Sequence, residues 1–192
     1  MADVERVHEN NVNNQAYWDK VYTSELRRGK IRKNRKLFNL TFQNMVGTTV
    51  LDIGCGSGGL VDELTRKGYK AIGVDISKYA VHFANTHSCT KACGKFKVMD
   101  VSRGIKLKDN SVDTVICMQV LEHLNDPKLV INEMKRIAKK RIIVSVPLED
   151  KIKHKEHVWH FTVTGLIDML GEATVELVGN RLFAYADVDK EE

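Results

Sequence analysis

The sequence predicts an α/β fold in which helices cover both faces of a doubly wound, mostly parallel sheet of seven strands. Three observations carry this prediction. Short apolar segments alternate with segments of helical periodicity, as in consecutive βαβ units. The glycine cluster 54–59 joins the first apolar segment directly to a helix. Near the end, Gly179-Asn180 separates two more apolar segments, which indicates an antiparallel hairpin.

The length and composition are those of one globular domain. The chain has 192 residues, enough for a sizeable core without disulfides or bound metals. No apolar run approaches the roughly 20 residues that span a membrane. The polar, acidic start Met1–Arg6 resembles neither a secretory signal nor a basic transit peptide, so we expect a cytoplasmic protein. We expect an N-terminal helical lid over 1–47, an α/β core over 48–187 and an acidic tail over 188–192.

The cysteines show no disulfide framework, and we expect all of them to be reduced: Cys55, Cys89, Cys93 and Cys117. Two of these lie four positions apart and follow His82 and His87, which raises the question of a metal site. Because the spacing is not that of common zinc sites, we interpret this stretch as the end of a surface helix and predict no metal.

Positive charge is concentrated in three places, and the formal net charge is +5. Basic residues cluster over 27–36, over Lys135–Arg141 and over 151–155. Such runs usually form solvated faces, but a nucleic acid or another acidic partner is the alternative interpretation.

The elements are predicted in the following order. Residues 1–12 lack periodicity and are expected to be loose; one helix begins near Asn14 and a second runs from about Lys30 to Gly47. Five strands follow at 50–53, 70–75, 96–100, 111–118 and 141–146, and the hairpin strands are at 175–178 and 182–186. Helices are predicted after the glycine cluster, from Ser77, from Asp126-Pro127 and from Thr164.

Acidic residues stand at the ends of three successive predicted strands: Asp52, Asp75 and Asp100. In a parallel sheet these ends meet at one edge, so the three side chains can face one ligand. A carboxylate at Asp52 would repel a pyrophosphate at the glycine turn, which argues against NAD, and would attract a positively charged group. Asp75 lies 21 positions after Gly54, the distance at which an acid meets ribose hydroxyls.

Two motifs carry a family resemblance. V-L-D-I-G-C-G-S-G at 50–58 resembles the first motif of class I S-adenosylmethionine (SAM)-dependent methyltransferases. V-L-E-H-L-N-D-P at 120–127 resembles a segment of the broad methyltransferase type 11-like group that includes quinone and other small-molecule methyltransferases. The resemblance spans about 50–147 and implies a Rossmann-like fold, SAM as cofactor with S-adenosylhomocysteine (SAH) as product, and methyl transfer to an O, N or C atom, most simply of a small molecule.

The resemblance also implies the cofactor-binding residues. An acid followed by a small apolar residue, Asp100-Val101, is similar to the adenine site of this family, and Met118 and Gln119 are expected at the methionine end. The full expected set is Asp52, Gly54, Cys55, Gly56, Gly58, Asp75, Ile76, Asp100, Val101, Met118 and Gln119. Tyr17, in a Y-W-D-x-x-Y segment similar to cofactor-covering segments of the family, is a further candidate.

An oxygen or nitrogen acceptor can require a general base, and histidine is suited to that role near neutral pH. We take His160 and His123 as the catalytic candidates, among a group that also includes His154 and His157. For His123 a purely structural role is the competing interpretation.

Two alternatives remain open at this point. Small-RNA 2′-O-methyltransferases have an E-x-x-E-H pattern and a later H-F segment that bind a divalent metal; this chain has Glu122, His123 and His160 but Gln119 in place of the first acid. The second alternative is a SAM-binding module without catalytic activity, since methyl transfer from SAM requires no particular catalytic side chain.

Overall fold

A computed structural model describes residues 4–7, 12–27, 35–87, 95–148 and 155–188. Several predicted features lie outside the described residues: Cys89 and Cys93, His154, most of the basic run over 27–36, Lys151 and Lys153, and the end of the acidic tail.

The described chain contains nine strands and six helices in the order β1 (Val4–Arg6), α1 (Gln15–Arg27), α2 (Arg35–Gln43), β2 (Thr49–Ile53), α3 (Gly59–Arg66), β3 (Lys70–Asp75), α4 (Lys78–His87), β4 (Phe96–Val98), β5 (Val112–Met118), α5 (Pro127–Ile137), β6 (Ala138–Pro147), β7 (Trp159–Phe161), α6 (Val163–Leu170), β8 (Thr174–Leu177) and β9 (Arg181–Asp187). None of these helices is long and apolar enough to cross a membrane.

The main sheet confirms the predicted fold class. Its seven strands lie in the order β4-β3-β2-β5-β6-β9-β8. The strands from β4 to β6 are parallel, while β9 pairs antiparallel with β6 and with β8. The order reverses between β2 and β5, and ligands of such sheets bind at that point, beyond the carboxyl ends of the strands.

Helices bury apolar residues against both faces of the sheet, which makes it doubly wound. On one face α5 and α6 pack over Leu51, Val115 and Ile142 and their neighbours. On the other face α2, α3 and α4 pack over Val50 and Ile116. Alternate residues of β2 and β5 therefore enter opposite cores, as the two-residue period of a strand requires.

Local sequence signals set several element ends. Asp126 accepts a hydrogen bond from the backbone N–H of Leu129 (3.0 Å) and caps α5, and Ser77 Oγ accepts from Ala80 N (3.1 Å) at the start of α4. The strands β8 and β9 are joined through the predicted Gly179-Asn180 turn, where Val178 N donates to Arg181 O (2.8 Å). These three predictions are confirmed.

The N-terminal segment corrects one expectation. The prediction that residues 1–12 are loose is wrong for Val4–Arg6, which forms β1 and pairs antiparallel with β7. In that small sheet Val4 pairs with Phe161 and Glu5 pairs with His160. The chain start is thereby attached to the segment that follows β6.

Two helix boundaries also differ from the prediction. Helix α2 ends at Gln43 rather than Gly47, because the chain turns there to enter β2. Helix α6 begins at Val163, one residue earlier than predicted. The side chain of Thr162 caps it there by accepting from Gly165 N (3.1 Å).

Candidate functional site

A cavity of about 820 Å³ opens beyond the carboxyl ends of β2, β3 and β5. Helix α1 and the start of α2 contribute to its wall on the side away from the sheet. Ten of the eleven predicted cofactor-binding residues line it: Asp52, Gly54, Cys55, Gly56, Asp75, Ile76, Asp100, Val101, Met118 and Gln119. Its size is typical of small-molecule sites.

The glycine turn between β2 and α3 forms the floor of the cavity. Gly54 and Gly56 adopt positive φ angles of 70° and 53°, which residues with a Cβ rarely adopt. A Cβ at Gly54 would overlap the side chain of Val120, and one at Gly56 would lie 2.6 Å from the hydroxyl oxygen of Tyr22. The turn therefore needs glycine for its conformation and for close packing against these two side chains.

Gly58 is not among the residues that line the cavity. It occupies the N-cap of α3 with φ 84°, and a Cβ there would lie 2.7 Å from the ring of Phe96. It thus serves the packing of α3 against β4, and its position gives no direct support to the expected ligand contact.

Asp52 is a buried carboxyl group at the end of β2, only 3% exposed. Burial, and in second place the nearby charge of Asp75, raises its pKa from 3.8 to about 8. Within the described chain no hydrogen bond or ion pair to Asp52 offsets this cost. A ligand that brings a positive charge next to Asp52 would supply the missing partner.

Asp75 ends β3 and fixes the glycine turn. One of its oxygens accepts from the backbone N–H of Gly56 (2.8 Å), and the other accepts from Ser77 N (2.8 Å). Burial raises the pKa of this carboxyl, while the hydrogen bonds from Ser77 and Gly56 act in the opposite direction. Each oxygen retains a lone pair, so the group is oriented and can still accept from ligand hydroxyls.

Helix α1 is attached to this region through Asp19. Its Oδ1 accepts from Ser77 Oγ (2.5 Å) and from Tyr79 N (3.0 Å), so a residue of α1 caps the first turn of α4. Sequence reasoning missed this contact. The only available signal was the acid in the Y-W-D-x-x-Y segment, whose partner lies 58 positions away.

Asp100 follows β4 and caps a short 3₁₀ turn. Its Oδ1 accepts from Ser102 N (3.2 Å) and Ser102 Oγ (2.6 Å), and its Oδ2 lies 3.0 Å from Arg103 Nε. Val101 is buried beside it at the cavity wall. Both oxygens of Asp100 therefore have local partners, which keep the carboxylate in a fixed orientation.

Gln119 adopts a left-handed backbone conformation, φ 56°, immediately after β5. Its N–H donates to Ser145 O (2.7 Å), and its side-chain Nε2 donates to Ser145 Oγ (3.1 Å). Its Oε1 accepts from Arg181 Nε (3.0 Å). Arg181 lines the cavity too and was missed from the sequence, because it lies on β9, far along the chain from the motifs.

His123 lies at the cavity in a group of aromatic rings. Its centroid is 4.9 Å from that of Trp18 and 5.0 Å from that of His157. Its Nδ1 is 2.8 Å from the carbonyl oxygen of Glu156. Since a carbonyl only accepts, Nδ1 carries the proton, and the lone pair of the neutral ring is on Nε2.

Glu122, His123 and His157 form a compact group whose ligand-type atoms all lie within 4.8 Å of one another. Glu122 is 1% exposed, and its Oε1 is 3.8 Å from His123 Nε2. Three ligands of this kind could hold a divalent metal. The metal alternative expected Glu122 and His123 to be joined by His160. The structure brings His157 to this group instead of His160.

His160 lies on β7, where it pairs with Glu5, and is not among the residues that line the cavity. His157 precedes β7 and lines the cavity, whereas His160 lies within β7. The placement of His160 gives no support to its expected role as the base.

Comparison with known proteins identifies relatives. Residues 51–144 match the model of the methyltransferase domain family. The chain is 35% identical over 95 residues to a ubiquinone biosynthesis O-methyltransferase of Paracidovorax citrulli, an alignment that covers 48% of this chain and 40% of the relative. It is 30% identical over 111 residues to the protein of the same name from Hydrogenovibrio crunogenus. This alignment covers 57% of this chain and 46% of the relative. The alignments thus span less than half the length of these curated relatives.

Solved structures share the fold at low sequence identity. The magnesium protoporphyrin IX methyltransferase of Synechocystis with bound SAH has a TM-score of 0.71 at 19% identity, over 91% of this chain and 98% of the other. A Haloferax volcanii putative methyltransferase in complex with the Trm112 activator has a TM-score of 0.74 at 17% identity, over 93% and 100%. Likeness at this level of identity establishes the Rossmann-like fold.

Proposed function

We propose that the chain is a class I SAM-dependent methyltransferase that binds SAM in the cavity and transfers the methyl group to a small molecule. Bound SAM supplies an electrophilic methyl group. The names of the curated relatives favour an oxygen acceptor among the O, N and C nucleophiles that the sequence left open.

The observation that carries this proposal is the buried carboxyl of Asp52 at the glycine turn. An uncompensated acid whose pKa lies near 8 suits a ligand with an ammonium group, such as the amino group of SAM. Asp75, oriented by two backbone donors, is placed to accept from ribose hydroxyls. A dinucleotide would bring a pyrophosphate towards two carboxyl groups, which is electrostatically unfavourable.

The test is calorimetric titration with SAH and with NAD. We expect SAH to bind and NAD not to bind. Asp52→Ala and Asp75→Ala should each weaken SAH binding by roughly 1.5–3 kcal/mol, the usual loss for a charge-assisted hydrogen bond. Asp168→Ala, at an exposed position on α6, is the control and should bind SAH like the wild type. Preferential NAD binding would refute the proposal.

We further propose His123 as the general base for an oxygen or nitrogen acceptor. The carbonyl of Glu156 holds the proton on Nδ1, so the lone pair that can accept a proton from the methyl acceptor is on Nε2. A screen of small-molecule extracts for transfer of a labelled methyl group should identify the acceptor. With that acceptor, His123→Gln should lose turnover and retain SAH affinity, while equal turnover would exclude the role. An extract screen without any transfer would instead favour the non-catalytic alternative.

A metal-assisted reaction is the second candidate, because Glu122, His123 and His157 are close enough to share a divalent ion. Transfer that is undiminished by a chelator would exclude it. A nucleic acid acceptor has weaker support, since Arg136 pairs with Glu133 and Arg141 with Asp187, which neutralises two charges of one basic cluster.

The domain arrangement and the location also stay proposals. We propose that residues 1–47 act as a lid, with Asp19 attaching α1 beside Asp75 and Tyr22 packing against the glycine turn. Fluorescence of Trp18, which lines the cavity, should change when SAH binds if α1 covers it. The cytoplasmic location stays a prediction from the sequence.

A further inference from the structure

We propose that Arg181 binds a carboxylate of the methyl acceptor, so that the substrates of this protein are acidic small molecules. This inference rests on the proposed function, because it assigns the cavity beyond the SAM site to the acceptor. Arg181 lies in the cavity wall, and its hydrogen-bond partners carry no charge.

The guanidinium of Arg181 is held by two side-chain amides. Its Nε donates to Gln119 Oε1 (3.0 Å), and its Nη1 donates to Asn180 Oδ1 (3.2 Å). An arginine has five N–H donors, so three remain without a hydrogen-bond partner in the described part of the chain. Those on the two terminal nitrogens have the fork geometry that binds a carboxylate through two parallel hydrogen bonds.

Three other arginines of the described chain pair with acids. Arg103 pairs with Asp100, Arg136 with Glu133 and Asp109, and Arg141 with Asp187. Arg181 forms no such ion pair among the described residues. Amide partners orient a guanidinium without neutralising it, so its full positive charge remains available at the cavity wall.

The partner amide is itself firmly placed. Gln119 is fixed to Ser145 by a backbone and a side-chain hydrogen bond, and its φ of 56° is unusual for a residue with a side chain. Strained backbone that surrounding contacts maintain is typical of binding sites. Here it directs the amide oxygen of Gln119 towards Arg181.

The position of Arg181 separates it from Asp52 and Asp75, while its partner Gln119, at the expected methionine end of the cofactor, links it to the edge of the SAM site. Arg181 opens β9, which is three strands from β2 in the sheet order, or roughly 14 Å at the usual strand spacing. Among the described residues, six acids line the cavity, and those that are ionised would repel an anion elsewhere: Glu25, Asp52, Asp75, Asp100, Glu122 and Glu156. Among the described cavity residues the other arginine is Arg35, an exposed residue at the first position of α2. A carboxylate is therefore directed to Arg181.

The test compares benzoate with benzyl alcohol, which differ in the charged group, on protein saturated with SAH. Binding is followed by the NMR signals of arginine Nε–H groups and by titration. We expect the wild type to prefer benzoate. Arg181→Gln should weaken benzoate binding about ten- to a hundredfold, as for loss of a hydrogen-bonded charge, and leave benzyl alcohol binding unchanged. Arg181→Lys keeps the charge and should recover part of the loss.

The control is Arg66→Gln, which removes the same charge at an exposed position of α3 outside the cavity lining. It should bind benzoate like the wild type. Equal binding of both probes to the wild type, or equal loss in the two variants, would overturn the assignment. A loss of SAH affinity in Arg181→Gln would overturn it as well, by showing that Arg181 serves the carboxylate of the cofactor. Failure of the wild type to bind SAH would refute the proposed function itself.

Discussion

Replacing Asp52 with asparagine is expected to stabilise the ligand-free protein while weakening its binding of SAH. Asparagine has nearly the same shape as aspartate but does not titrate. The wild-type carboxyl has a pKa of about 8 in the folded protein, against an ordinary value of 3.8. Between these two pH values the folded protein keeps a proton that the unfolded chain has lost.

The sign and size of the effect follow from proton linkage. Where the folded state binds the extra proton, the free energy of unfolding falls as pH rises, by about 1.4 kcal/mol per pH unit. From 3.8 to about 8 the loss attributable to Asp52 reaches about 6 kcal/mol. Asp52→Asn removes this loss, so the variant should exceed the wild type in stability by a margin that grows with pH.

The assay is urea denaturation of both proteins at several pH values between 4 and 8.5, first without ligand and then with SAH. SAH should stabilise the wild type strongly and the variant weakly. Asp113→Asn is a control of opposite sign, since hydrogen bonds from Thr48 and Thr49 lower the pKa of Asp113 to about 2. It should destabilise the protein throughout the range above pH 4. Parallel pH profiles for the wild type and Asp52→Asn would refute the reasoning.

Three other expectations concern the same region and the fold around it. Below pH 8, SAH binding to the wild type should release up to one proton, because Asp52 ionises when the ligand binds. Calorimetry in two buffers of different ionisation enthalpy measures this release. The same measurement should detect no release with Asp52→Asn. Asp19→Ala should lower stability by about 1 kcal/mol through the lost cap and speed SAH dissociation in stopped-flow measurements; an unchanged rate would mean that α1 does not control exit. Glu133→Gln should reduce stability at neutral pH more than at pH 2. The hydrogen bond from Arg136 lowers the pKa of Glu133 to about 2, so the stabilisation from this pair is lost as pH falls through that value. Equal losses of stability at both pH values would contradict this expectation.

The sequence predicted the parts of the fold that depend on local signals. The glycine turn, the Asp126-Pro127 helix start and the Gly179-Asn180 hairpin each need only a few adjacent residues with special backbone or capping properties. The acids Asp52 and Asp75 could be placed together because parallel strands end at one edge of a sheet. Alternation of strands and helices then determined the layers.

Contacts between distant segments could not be predicted in this way. The pairing of β1 with β7 joins two three-residue strands about 155 positions apart, too short for a periodic pattern. His160 was expected as the base because it lies on the segment after the fifth predicted strand, and no local signal shows that this segment pairs with β1. Arg181 was missed because only the sheet order brings β9 near the end of β5.

The carbonyl oxygen of Glu156 has a consequence for how this protein can change over evolutionary time. It accepts from His123 Nδ1 and also from the side chain of Asn13 (2.7 Å), which comes from the N-terminal segment. Being a main-chain atom, it is present whatever residue occupies position 156. Substitution of the side chain at position 156 can therefore change acceptor preference without changing the tautomer of His123.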